Sequence, residues 1–102
     1  MSQPLPWQEP WDALPENLHQ AYQSQLKREL VPGHPLFGHP CTILGKHFGS
    51  DDILVALANG QLAVVHLTWA GPGDTRFPIT TFFADWDDFA AQRMAEDALG
   101  YS

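Results

Sequence analysis

Few side chains in this sequence can do chemistry: five histidines, twelve carboxylates and a single cysteine among 102 residues. His66 stands out because it sits in an apolar run, Val64-Val65-His66-Leu67-Thr68. A histidine in that setting is either a neutral core ring with satisfied nitrogens or an acid–base group at the mouth of a cleft. The hairpin that carries it offers a carboxylate partner. Asn59-Gly60 is a strong turn signal, since a two-residue type I′ loop needs positive φ at both central positions. Such a loop pairs Ala58 with Gln61 and, further out, Ile53 with His66. Asp51 then opposes Thr68, diagonal to His66 at about 7–8 Å. An Asp51–His66 pair would set the tautomer and orientation of the ring. With His34 as a second imidazole and Trp69 as an aromatic wall, these residues outline a site for small-ligand binding or hydrolysis.

The segment GHPLFGHP, residues 33–40, invites a metal reading, because it repeats Gly-His-Pro with His34 and His39 five apart. A helical histidine clamp needs the two rings four apart on one face, with a third ligand elsewhere. Each of these histidines precedes a proline, which drives it toward extended backbone. The expectation is an ordered turn and no metal; a loop-built site would need His47 or His66 as its third ligand. Cys41 has no base marked near it and reads as a small core residue on a strand. Asp85, Asp87 and Asp88 lack the alternating ligand and glycine pattern of a calcium loop, and they suit the start of a helix. No Gly-x-Ser-x-Gly elbow, metalloprotease helix or phosphate-cradling glycine loop is present. No cofactor is expected and no catalytic residue is assigned outright; His66, Asp51 and His34 are the candidates.

The elements that would carry these groups follow from periodicity. Residues 15–30 read as a helix, with Pro15 and Glu16 at its start and an apolar stripe of Leu18, Tyr22, Leu26 and Leu30. Residues 41–48 read as a strand, 53–69 as the Asn59-Gly60 hairpin, and 77–83 as a β-rich run with Pro78 at its start. Residues 84–100 read as a second helix, capped by Asp85, burying Trp86, Phe89, Ala90 and Met94. The hairpin strands are apolar on both faces, so both faces must be covered, by the helices or by a second subunit. The fold class is α+β: an antiparallel three- to four-stranded meander flanked by an N-terminal and a C-terminal helix. Residues 1–12 form a Pro/Trp-rich segment without regular structure, and 13–102 form a single domain. Trp7 and Trp11 are too apolar for a free tail. With Trp69, they are the candidate binding residues.

Composition narrows the function. The net charge is −7, from twelve acidic against five basic residues, which disfavours nucleic acid and anionic membranes. Nothing in the chain is long and apolar enough to span a bilayer. The N-terminus lacks the basic end and apolar stretch of a secretory signal, and a lone cysteine fits a cytoplasmic chain. The leading expectation is an acidic binding or accessory protein that acts through protein–protein contact, as a homodimer or on a basic partner such as a toxin. The alternative is the His66 site.

The segments His34-Pro35-Leu36-Phe37-Gly38, Val64-Val65-His66-Leu67-Thr68-Trp69-Ala70-Gly71 and Pro78-Ile79-Thr80 resemble a pattern shared by a group of small uncharacterised bacterial proteins. The similarity covers about residues 33–90. It implies a cytosolic α+β domain and draws attention to His34, His66 and Trp69. It implies no activity, and His39 lies outside the pattern.

Overall fold

The hairpin strands fail to alternate because each of their faces meets a helix. The structure, a computed structural model, describes residues 5–100. Strands β1 (Trp11–Ala13), β2 (Cys41–His47), β3 (Asp52–Leu57), β4 (Leu62–His66) and β5 (Ile79–Phe83) form one antiparallel sheet in sequential order. Helix α1 (Glu16–Glu29) connects β1 to β2 and covers one face. A second helical run, α2, covers 86–99 and packs on the other face. Among the described residues no helix is long and apolar enough to cross a membrane.

The sheet has one strand more than the sequence suggests. Trp11–Ala13, expected to be irregular, pairs with 45–47 of β2. The prolines before it are no obstacle, because an edge strand needs donors on one side only. Trp11 anchors this strand: it is fully buried, edge-on to Phe89 at 5.1 Å between ring centroids. Trp7 is half-buried edge-on to Trp86. Both indoles thus pack back on the body of the chain.

Two clusters fill the core. Ile53, Val55, Ala63, Val65 and Leu67 meet Leu26 beneath α1. Leu54, Leu62 and Val64 meet Trp11, Phe83, Phe89 and Met94 beneath α2. Each Val, Leu, Ile, Phe or Met among them contributes about 1.5–3 kcal/mol when fully buried. Helix α2 widens in its middle: it is α-helical at Trp86–Phe89, π-helical at Ala90–Met94 and α-helical again at Ala95–Leu99. The wide turn stacks residues five apart, so that Phe89 and Met94 both stay buried. Asp85 caps this helix as expected, accepting from the Asp88 N–H at 2.9 Å.

The hairpin register differs by one residue from the expected one. Ala56 pairs with Leu62, and Asp52 with His66. Ala58, Asn59 and Gly60 make a three-residue loop in which Gly60 alone takes positive φ, at 92°. Asn59 stays on the ordinary side of the map and uses its Oδ1 to accept from the Gln61 N–H at 2.9 Å. With only one left-handed residue the type I′ turn cannot form, and a type I turn closed by the glycine replaces it.

Candidate functional site

The one-residue change in register decides the partner of His66. Asp52 is directly opposite it, and the two side chains share the α2 face of the sheet. His66 Nδ1 lies 2.9 Å from Asp52 Oδ1. The carboxylate accepts, so Nδ1 carries the proton and Nε2 is left for other work. The His66 side chain is 53% exposed, whereas that of Asp52 is 13% exposed. A held carboxylate therefore presents an open imidazole.

Asp52 is held from two further directions. Its Oδ2 accepts from the Ser50 hydroxyl at 2.8 Å and from the Arg93 guanidinium at 3.0 Å. Arg93 comes from the π turn of α2 and forks between carboxylates: its Nε donates to Asp97 Oδ2 at 2.8 Å. Asp97 Oδ2 also accepts from the Trp11 indole at 2.8 Å, and His47 Nε2 approaches it at 3.9 Å. The Arg93 guanidinium lies 5.5 Å from the Trp11 ring, a cation–π contact. A polar row thus runs from His47 through Asp97, Arg93 and Asp52 to His66. It ties the sheet to the helix above it and ends on the exposed ring.

Asp51, the carboxylate expected beside His66, is exposed, and its carbonyl accepts from the Leu67 N–H at 3.1 Å. The altered register puts Asp52 in its place. His34 is buried and far from this duty. Its Nε2 donates to the Pro78 carbonyl at 2.7 Å and its Nδ1 accepts from the Leu36 N–H at 3.1 Å. Both nitrogens are used, so His34 fastens the 33–40 turn to the strand entry at β5. Trp69 lies on the α1 side, edge-on to Tyr22 at 5.0 Å, while His66 faces α2. The His66, His34 and Trp69 grouping expected from sequence is therefore not assembled. Trp11, fully buried, is no surface anchor; it enters the site as the donor to Asp97.

Cys41 is half-buried, and burial pushes its thiol above the ordinary range. Its Sγ contacts the His39 carbonyl at 3.2 Å, and among the described residues no base hydrogen-bonds to it. It borders an apolar groove of about 520 Å³ between α1 and the 33–40 turn, lined also by Leu26, Leu30, Leu36 and Phe37. This groove lies against the α1 face and brings nothing to His66. Among the described residues no three His, Cys, Asp or Glu side chains converge as a metal-ligand set. His34 is enclosed while His39 is exposed.

Sequence reading missed Glu29, which is fully buried at the end of α1. Its carboxylate accepts from Gln25 Nε2 at 2.7 Å, Thr68 N at 2.8 Å, Thr68 Oγ1 at 2.9 Å and Trp69 N at 3.0 Å. These bonds hold the exit of β4, including Trp69 at a positive φ of 57° that non-glycine residues seldom adopt. The available signal was an acid in the last turn of a helix, where the dipole disfavours it. Its spacing three beyond Leu26 also puts it on the apolar stripe.

Burial of Asp52 works against its charge. The hydrogen bonds from Ser50 and His66, with the Arg93 charge, outweigh it and hold the carboxyl below the usual carboxylate range. A carboxyl lowered by folding stabilises the fold at pH above its unfolded value of about 3.9. That contribution fades as pH falls through the folded value. Wild type is therefore expected to be more stable than Asp52→Asn at neutral pH. The gap should close as pH drops below about 4. Urea melts of both proteins across pH check this, and a gap that is flat with pH would contradict it.

Comparison with known proteins finds no relative: no protein-family model, no curated protein and no solved structure matches the chain. The candidate site stands on its geometry alone.

Proposed function

We propose that this chain is a small-ligand-binding or hydrolytic domain whose working group is His66, oriented by Asp52. The observation that carries this reading is the pairing of an exposed imidazole with a largely enclosed carboxylate at 2.9 Å. Asp52 fixes the Nδ1–H tautomer and stabilises the imidazolium that forms when Nε2 takes up a proton. Arg93 and Ser50 keep Asp52 in place. In this reading Nε2 takes a proton from water as that water adds to the carbonyl carbon of a small ester; the adduct then collapses with cleavage of the bond to the alcohol oxygen, which departs, and the imidazolium gives its proton to that oxygen or to solvent. No side-chain nucleophile is required. Positioned general-base catalysis of this kind contributes about 10²–10⁴-fold.

The test is hydrolysis of an activated ester, p-nitrophenyl acetate, by wild type, His66→Gln, Asp52→Asn and His39→Ala. His39 is a second exposed histidine and serves as the control. His66→Gln should lose about 100-fold, and Asp52→Asn should fall between it and wild type. His39→Ala should match wild type. Equal rates for wild type and His66→Gln, with both proteins folded by circular dichroism, would remove His66 from the mechanism.

A further inference from the structure

The apolar groove between α1 and the 33–40 turn has two walls that are each tied down from behind. Its volume, about 520 Å³, falls in the range of small-molecule sites, about 300–1,000 Å³. Leu26 and Leu30 of α1 form one wall, and Leu36, Phe37 and Pro40 form the other. His34 pins the turn through both ring nitrogens, to the Pro78 carbonyl at 2.7 Å and to the Leu36 N–H at 3.1 Å. Gln23 ties α1 to β2, its Nε2 donating to the Cys41 carbonyl at 3.2 Å. The groove is therefore preformed. Phe37 lines it and is still 47% exposed, so apolar surface there lacks a cover. Among the described residues no buried side-chain nitrogen or oxygen lacks a partner. The interior of the groove thus suits an apolar body, with no polar group to satisfy.

Charge defines the other end of the ligand. The chain has twelve acids against five Lys and Arg, yet no Asp or Glu lines this groove. Lys27 does line it, exposed and without an ion pair among the described residues. The residues three and four away from it are Gln23, Ser24, Leu30 and Val31, so no carboxylate stands at the helical spacings that meet. Other cations of the chain are engaged: Arg93 by Asp52 and Asp97, and Lys46 by the His47 and Ser50 carbonyls. Lysine is a compact point charge, suited to one negative group. The net charge of −7 disfavours a multiply charged ligand. At physiological salt, charges more than about 8 Å away are largely screened, so a single anionic head beside Lys27 feels chiefly the lysine.

We infer that this groove binds a small amphipathic monocarboxylate, a medium-chain fatty acid, with its chain between α1 and the turn and its carboxylate at Lys27. The chain of the ligand covers the apolar walls, and its head supplies the negative charge that the groove lacks. The inference stands apart from the reading of His66, whose side chain faces α2.

The test is binding of decanoate, below its micelle concentration, followed by titration calorimetry and by the rate at which N-ethylmaleimide alkylates Cys41. Cys41 is the single cysteine and borders the groove, so an occupant shields it. Decanoate is expected to bind and to slow alkylation. Decanol, with the same chain and no charge, should bind about fivefold more weakly, the ratio that one partly exposed ion pair supports. Lys27→Gln should bring decanoate down to the affinity of decanol. Arg28→Gln removes the same charge one residue along, outside the groove lining, and should bind decanoate as wild type does. Both positions are exposed, and the circular dichroism spectra of both variants should match wild type. The inference is overturned if decanoate leaves the alkylation of Cys41 unchanged, or if the two variants weaken binding equally. Equal affinity for decanol and decanoate would assign the groove to an uncharged apolar occupant and overturn it as well.

Discussion

Glu29→Ala is expected to lower stability by about 3 kcal/mol, a fall of about 15 °C in Tm for a domain of this size. The substitution leaves the Thr68 N–H, the Thr68 hydroxyl, the Trp69 N–H and one Gln25 amide proton without the acceptor they share. Each enclosed donor left unpaired costs about 1–3 kcal/mol. Water can reach the rim beside Thr68 and Trp69, which are exposed at their outer surfaces, so the sum is smaller than the count of bonds suggests. Trp69 then loses the bond that offsets its left-handed backbone. Glu29→Gln is expected to be intermediate, because its amide turns one acceptor into a donor facing donors. Thermal melts followed by circular dichroism check both variants. A change within about 0.5 kcal/mol, the ordinary range for a surface substitution, would show that the carboxylate does not hold the exit of β4.

Gly73→Ala is the second large effect, again about 3 kcal/mol. A methyl group at this position would run into the carbonyl of Phe77 and the Glu29 carbonyl, both of them backbone. Backbone cannot swing aside as a flexible side chain can. The contact is tight because Gly73 N donates to the Glu29 carbonyl at 3.0 Å and Asp74 N to the Phe77 carbonyl at 2.9 Å. Gly71→Ala is the matched control: nothing lies within 4 Å of the added methyl group, and its effect should stay within about 0.5 kcal/mol. Since Glu29 and Gly73 fasten the same segment to α1, the double variant should lose less than the sum of the two. Strict additivity in denaturant melts would mean that the contacts act separately.

Both effects concern the connection from β4 to β5, whose anchoring was not legible in the chain. The helices were legible. Leu18, Tyr22, Leu26 and Leu30 mark α1 by spacing, and Asp85 before Trp86 marks the start of α2. The requirement that both sheet faces be covered was also legible, because the strands around Asn59-Gly60 are apolar on both sides. Even the π turn left a trace in Phe89 and Met94, five apart and both apolar. The anchoring by Glu29 was obscured because a buried carboxylate looks, in sequence, like any polar residue on a helix.

The candidate site shows where reading by pattern runs out. His66 was visible as a histidine in an apolar strand, and a nearby aspartate was expected. Which aspartate it would be turned on a single backbone angle. Had Asn59 gone left-handed with Gly60, Asp51 would have been diagonal to His66. With Gly60 alone at positive φ, Asp52 stands opposite His66. Arg93 and Asp97 gave no sign of belonging to the site, being on an element far along the chain.

Sequence by itself determined the elements other than β1, their order, the antiparallel α+β class and the need to cover both faces of the sheet, because these follow from local periodicity and capping. Only the tertiary structure decided the partner of His66, the enclosure of His34, the separation of Trp69 from His66 and the role of Glu29. Those depend on register and on which side of the sheet each side chain faces. A shift of one residue in a strand reverses both, while leaving the composition and the pattern of apolar residues unchanged.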